Sequence, residues 1–170
     1  LKKGKLVEQG LTETVINKYI YDGNNVTTLS EYRVQNPKGK FYINKFAIYD
    51  SNEKINNYLD RTLPFKIMIE YTLSVDSPDI FASFEIHTAN MQNGVYVGTT
   101  VLGWSEKHYR RYKFNDEKVF KKKGAYRTIV NVPGYVLNSG KYSISVSLIS
   151  GDTLYTTIKN KIQFDLYDEN

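Results

Sequence analysis

Ser83, Glu85 and His87 alternate with Ala82, Phe84 and Ile86. In an extended chain this puts a hydroxyl, a carboxylate and an imidazole on one face and apolar groups on the other. Such a row suits a ligand rich in hydroxyls. Planar polar groups hydrogen-bond hydroxyls, and aromatic rings stack on C–H faces. Tyr96 follows the Asn93-Gly94 turn signal, and Trp104, the one tryptophan, follows Gly103. Arg127 is opposite in parity to Tyr126 and Thr128. Glu85, His87, Tyr96, Trp104 and Arg127 are therefore the candidate sugar-contacting residues. Each has a plainer reading: an exposed strand face for Glu85 and His87, a core plug for Trp104, and a surface ion pair for Arg127.

A second candidate lies between Trp104 and Lys123. The chain carries 23 Lys/Arg against 18 Asp/Glu, a net charge of +5. Residues 106–123 hold eight of the bases and three of the acids, which is the whole excess, so the remainder is neutral. Tyr109, Arg110, Arg111 and Tyr112 form a candidate arm for an anionic ligand, because guanidinium forks bind carboxylate or phosphate bidentately. Anionic lipid fits the same charge. So does nucleic acid, which ranks last because no recognition helix or RRM-type motif accompanies the basic run. The plain reading is a solvated loop or an extra hairpin.

Other chemistries are excluded or weak. The absence of cysteine removes disulfides and thiolate metal sites. His87 and His108 lack metal-ligand spacing, and no cofactor is expected. Gly134 and Gly140-Lys141-Tyr142 resemble a phosphate loop only superficially. The spacing is one residue too long, Tyr stands where Ser or Thr belongs, and a strand follows instead of a helix. Glu70 and Glu85 are the carboxylates available for glycoside hydrolysis if folding brings them face to face. Asn25-Val26-Thr27 is a glycosylation sequon of the kind that arises by chance. No secretory leader pattern is present, and no apolar run approaches the roughly 18 residues of a membrane span.

The elements that must position these groups are mostly strands. Period-two alternation runs through Phe46–Ile48, Phe65–Leu73, Ile80–His87, Val95–Leu102, Gly124–Val132, Tyr142–Leu148 and Ile162–Leu166. One-sided alternation implies antiparallel sheets. The expected fold is all-β: an antiparallel immunoglobulin-like or jelly-roll sandwich of seven to eight or more strands. The first twenty residues differ. Leu1–Gly10 reads as a hairpin. Thr12 caps a short N-terminal helix with Val15, Ile16, Tyr19 and Ile20 on one face. The expected division is 1–22 as this tail, 23–40 as a polar linker and 41–170 as the sandwich. A start at Leu fits a piece of a larger protein.

Two segments carry a family resemblance. Asn131-Val132-Pro133-Gly134-Tyr135-Val136-Leu137-Asn138-Ser139-Gly140-Lys141-Tyr142 runs strand, Pro, Leu, Gly-x-Tyr, strand. Upstream, Phe46–Asp50 and Phe65–Tyr71 give an early strand pair. This order resembles the C-terminal carbohydrate-binding domain of the ATPase subunits of polysaccharide-exporting ABC transporters, the Wzt-type O-antigen family. Leu1–Gly10 and Glu13–Tyr19 look like the last hairpin and helix of an ABC nucleotide-binding domain. The resemblance omits residues 103–123. It implies a non-catalytic module on the cytoplasmic side of the inner membrane that binds lipid-linked polysaccharide before export. It also implies a homodimer, and contact with the membrane subunit through the parent ATPase. It assigns no binding residue. The competing reading is a sandwich that only dimerises or docks a partner.

Overall fold

The computed structural model describes residues 29–92, 95–114, 120–151 and 153–168, with side chains throughout except in 90–92, 95–97, 111–114 and 153. The expected tail at 1–22, the sequon and the Asn93-Gly94 turn lie outside the described residues.

Among the described residues eleven strands and one helix follow in order. They are β1 (Glu31–Arg33), β2 (Phe41–Tyr49), β3 (Tyr58–Asp60), β4 (Phe65–Leu73), β5 (Ile80–Thr88), β6 (Asn90–Gln92), β7 (Val95–Val97), β8 (Thr100–Ser105), α1 (Glu106–Phe114), β9 (Gly124–Val132), β10 (Gly140–Ser150) and β11 (Thr153–Tyr167). Two sheets pack face to face. One has the order β1-β2-β4-β9 and the other β3-β11-β10-β5-β8, while β6 and β7 form a separate ribbon. All pairings are antiparallel except β3 with β11. The all-β sandwich expected from alternation is the observed architecture.

Each long strand buries the alternate set that its sequence marks. Ile67, Ile69 and Tyr71 of β4 meet Phe84 and Ile86 of β5, Ile144 and Val146 of β10, and Ile162 and Phe164 of β11 in one core. Burial of this apolar area, at about 25 cal/mol per Å², is the main stabilising term.

Several elements depart from the sequence-based expectation. Glu31–Arg33, within the stretch read as linker, pairs with β2 through Glu31↔Ala47. The stretch read as one strand over 95–102 is divided between β7 and β8. The last strand is longer than its apolar triplet suggests and begins at Thr153. The basic segment, read as a loop or hairpin, contains a helix. Ser105, a favoured N-cap type, precedes it, Glu106 opens its first turn, and Arg110, Arg111 and Lys113 follow toward its C-terminal end, matching the helix dipole.

The chain from β8 to β9 crosses between the sheets and closes the seam at their edges. Lys121 is its anchor and is 7% exposed. Its Nζ lies 2.6 Å from Glu106 Oε2 and donates to Tyr71 Oη at 2.8 Å, with the ring faces of Phe81 and Tyr126 within 6 Å. Backbone bonds in both directions join Lys121 to Ser77 in the other crossover. Glu106 also takes the amide of Ala82 at 3.4 Å, where β8 has ended.

Candidate functional site

The pleat of β5 turns Ser83, Glu85 and His87 away from the core. Its neighbours match it row by row. Ser143, Ser145 and Ser147 of β10 stand opposite His87, Glu85 and Ser83. On the other side Thr100, Gly103 and Ser105 of β8 stand opposite the same three residues. Around β5 the outer face of the five-stranded sheet is thus a field of hydroxyls around Glu85 and His87.

A continuous set of hydrogen bonds crosses this face. Thr100 Oγ1 is 3.0 Å from His87 Nδ1, and His87 Nε2 is 3.2 Å from Ser145 Oγ. Ser145 Oγ donates to Asn160 Oδ1 at 3.3 Å, and Ser143 Oγ donates to the same oxygen at 3.1 Å. For a neutral imidazole the network sets the tautomer. Ser145 has one hydrogen and gives it to Asn160, so it accepts from His87 Nε2–H, and Nδ1 accepts from Thr100. Glu85 Oε2 sits 3.7 Å from Nε2 with its side chain 60% exposed. Farther along, Ser147 and Thr157 share a 2.9 Å hydroxyl pair.

Ser143 is fully buried and Ser145 nearly so, although both face outward, because Asn160 arches over them. The serines form a floor that fixes Asn160 and His87. Those two side chains and Glu85 are the groups presented at the surface. Gly103, opposite Glu85, leaves open space where an added Cβ would touch nothing within 4 Å. Toward the β3 end of the same face lies Asp165, cross-strand from Lys141. Burial pushes its carboxyl up to about 6.

The arrangement offers hydrogen-bonding groups to a ligand, and Ser145 and His87 are not set as a nucleophile and its base. Ser145 and His87 are within reach of each other, but the far imidazole nitrogen meets a hydroxyl, not a carboxylate, and Ser145 is engaged by Asn160. Glu70 and Glu85 are not a hydrolytic pair, because they project from the outer faces of different sheets, separated by a core about 10 Å thick. Among the described residues no group of three or more His, Cys, Asp or Glu is placed to hold a metal.

The structure therefore joins Glu85 and His87 and turns Trp104 and Arg127 away from them. Trp104 turns inward and stacks on Phe84, ring centroids 5.9 Å apart at 16°. Arg127 lies on the opposite face of the sandwich, paired with Glu70 at 2.6 Å. Tyr96 is in β7, across from Met91, with its side chain outside the described set. In the basic arm, Tyr109 packs 6.4 Å from Trp104 and Arg110 is half-buried. Arg111 and Tyr112 belong to α1, their side chains outside the described set. Lys107 donates to the Gly151 carbonyl, so α1 is laid against the end of the sheet.

Asn160 was missed by reading the sequence. Ile158 pairs with Val146 and Ile162 with Ile144, which leaves residues 159–161 opposite the single Ser145. Simple parity would point Asn160 at the core. The bulge, with Asn160 at φ 53°, turns it outward. Asn is among the few residues that take this left-handed conformation readily, which is the one signal that was available.

No protein-family model and no curated protein matches the sequence. Among solved structures, the C-terminal domain of Wzt is similar with a TM-score of 0.65 at 16% identity, covering 89% of this chain and 86% of that one. The CARDB domain of a Pyrococcus furiosus protein, solved with di-metal ions, gives a TM-score of 0.37 at 11% identity over 85% of this chain and 97% of that one. The likeness to the Wzt domain shows that the two share a fold, the fold that the sequence resemblance implied.

Proposed function

We propose that this chain is a non-catalytic glycan-binding module of a polysaccharide-exporting ABC transporter. In this reading it belongs to the ATPase subunit and works at the cytoplasmic face of the inner membrane, as a homodimer. It receives lipid-linked polysaccharide before export. The observation that carries the reading is the Thr100–His87–Ser145–Asn160 strip, with Glu85 beside it, on a Wzt-like sandwich. Prearranged planar amide, imidazole and carboxylate groups bind a hydroxyl-rich chain without first having to be ordered. The shape of the fold supports the transporter assignment. The strip supports the ligand class. No helix among the described residues is long and apolar enough to cross a membrane, which is compatible with a peripheral position.

The test is titration of the chain with the polysaccharide of its own source, with and without the terminal modification. Asn160→Ala and His87→Ala should each weaken binding about tenfold, the loss of roughly one to two hydrogen bonds. Dependence on the terminus identifies a reader of finished chains, and independence identifies a groove for the repeat. No binding by a folded sample rejects the reading.

One observation favours the docking alternative. Among the described strands, β9 is a nine-residue sheet edge with Ile129 54% exposed. Such an edge is a ready template for pairing with another chain. Loss of dimer on β9 substitution, without loss of glycan binding, would give that surface its own role.

A further inference from the structure

We infer that the cleft beside β3 is a second sugar subsite, shaped for a single neutral or amine-bearing pyranose and closed to anionic sugars. The inference rests on the glycan-binding reading for the class of ligand only. The cleft lies at a different place from the hydroxyl strip and is built from different loops.

Its volume is about 280 Å³. That is below the roughly 300–1,000 Å³ of sites for drug-sized ligands, and suits one ring and not a chain. Tyr58 and Tyr167 stack at its side, centroids 4.1 Å apart at 13°. Tyr58 is 39% exposed, so an aromatic face remains for a sugar's C–H face. Leu59 and Phe65, both core residues, form the apolar base. Asp50, Asp60, Asn52 and Asn56 supply polar groups around it. Among the described residues no Lys, Arg or His lines the cleft. The Lys54 ammonium acts on Asp50 from outside the lining, but the lining itself carries two carboxylates, which disfavour a carboxylate or phosphate and favour hydroxyls or an ammonium group.

The cleft is held in shape before any ligand arrives. Asp50 accepts from the amides of Asn52 and Lys54 at 2.9 and 3.0 Å and from Asn56 Nδ2 at 3.3 Å. These bonds, the Lys54 amide foremost, hold its carboxyl below the usual range and therefore ionised. Asn56 Oδ1 accepts from the Tyr58 amide at 3.0 Å, and Asp60 Oδ1 from the Thr62 amide at 2.8 Å. The next loop is pinned against this one. Tyr135 takes φ 63° to give its amide to the Arg61 carbonyl at 2.8 Å.

Position connects the cleft to the strip. Gln163, Asp165 and Tyr167 lie on the outer face of β11 beyond Asn160, and β3 pairs alongside through Asp165↔Tyr58. Seven residues of strand separate Asn160 from Tyr167, about 23 Å at roughly 3.3 Å each. A saccharide lying on the strip and running along β11 would reach the cleft with a later ring.

The experiment is two-dimensional amide NMR of the 170-residue chain titrated with D-glucosamine, D-glucose and D-glucuronate. Saturable shifts are expected at Asn52, Asn56, Tyr58 and Asp60 with the first two sugars, with at least about tenfold weaker response to glucuronate. Tyr58→Ala should weaken the response about tenfold. If that variant loses the folded spectrum, Asn52→Ala in the exposed loop serves instead. The inference is overturned by no saturable shift at these amides, by an equal response to glucuronate, or by a folded variant that binds as before. Shifts at His87 and Asn160 with the polysaccharide, but none at the cleft with any sugar, reject the subsite and leave the strip reading intact. Shifts at the cleft alone do the reverse.

Discussion

Lys121 Nζ and Glu106 Oε2 lie 2.6 Å apart inside the seam between the two sheets, with the lysine side chain 7% exposed and the glutamate 15%. Burial draws the lysine pKa down, and the glutamate opposes it. One cation and one anion of a segment that reads as a basic arm are therefore structural. Removing one partner leaves a buried charge uncompensated, which costs about 3–5 kcal/mol. Lys121→Ala should lower unfolding free energy by that amount in urea titrations. Lys121→Met with Glu106→Leu should recover most of it. A single variant within about 0.5 kcal/mol of the parent would show that the pair does not hold the seam.

Gly134 makes a different kind of contact. A Cβ there would overlap the carbonyl of Thr62, a backbone atom that cannot swing away. Gly134→Ala should therefore cost about 1–3 kcal/mol. The position reads in sequence as a Pro-Gly strand break. The structure shows it as the point where the β9–β10 loop is pressed against the β3–β4 loop. Urea midpoints that match the parent would mean the two loops separate at little cost.

What the sequence revealed and concealed follows from what alternation encodes. Phe65–Leu73 and Ile80–Thr88 show period two cleanly, and both are half-buried strands. Parity placed Glu85, His87, Glu70 and Arg127 on outer faces correctly. It does not say which sheet an outer face belongs to, so Arg127 was grouped with residues that stand on the far side of the core. Asn160 was hidden because a bulge inverts its parity. The inward side of Trp104 was legible from its parity with Leu102, but its position at a strand end obscured it. The helix at 106–114 was concealed by the density of charge and aromatics, which suggested an arm. Its capping pattern at Ser105-Glu106 was the signal to weigh.

Asp165 makes stability depend on pH. Burial raises its folded pKa to about 6, against an ordinary 3.8. A carboxyl with a raised folded pKa contributes stability that is full below the unfolded value and is lost as pH rises through the folded one. The fold should therefore lose stability from this group between about pH 4 and 6. Asp165→Asn should raise Tm at pH 7.5 by the equivalent of about 1 kcal/mol, after discounting for its partial exposure, and not at pH 3.5. Equal effects at both pH values would assign the change to packing.

The last prediction separates the two outer faces. Gly103 opens onto space beside Glu85, in ordinary strand conformation, so a side chain fits there without strain. Gly103→Leu should leave stability within about 0.5 kcal/mol and place a bulky side chain beside Glu85, over the surface that a sugar ring would cover. Arg127→Ala removes an exposed pair with Glu70 on the other sheet, worth about 0–1 kcal/mol. If the hydroxyl strip is the binding surface, isothermal titration with the polysaccharide should show affinity falling at least about tenfold for Gly103→Leu and unchanged for Arg127→Ala. The reverse pattern would move the glycan to the four-stranded sheet, where Glu70 and Arg127 would be its contacts. Loss in both variants would mean that binding depends on a property of the whole sandwich, such as its assembly, and that neither face carries the ligand alone.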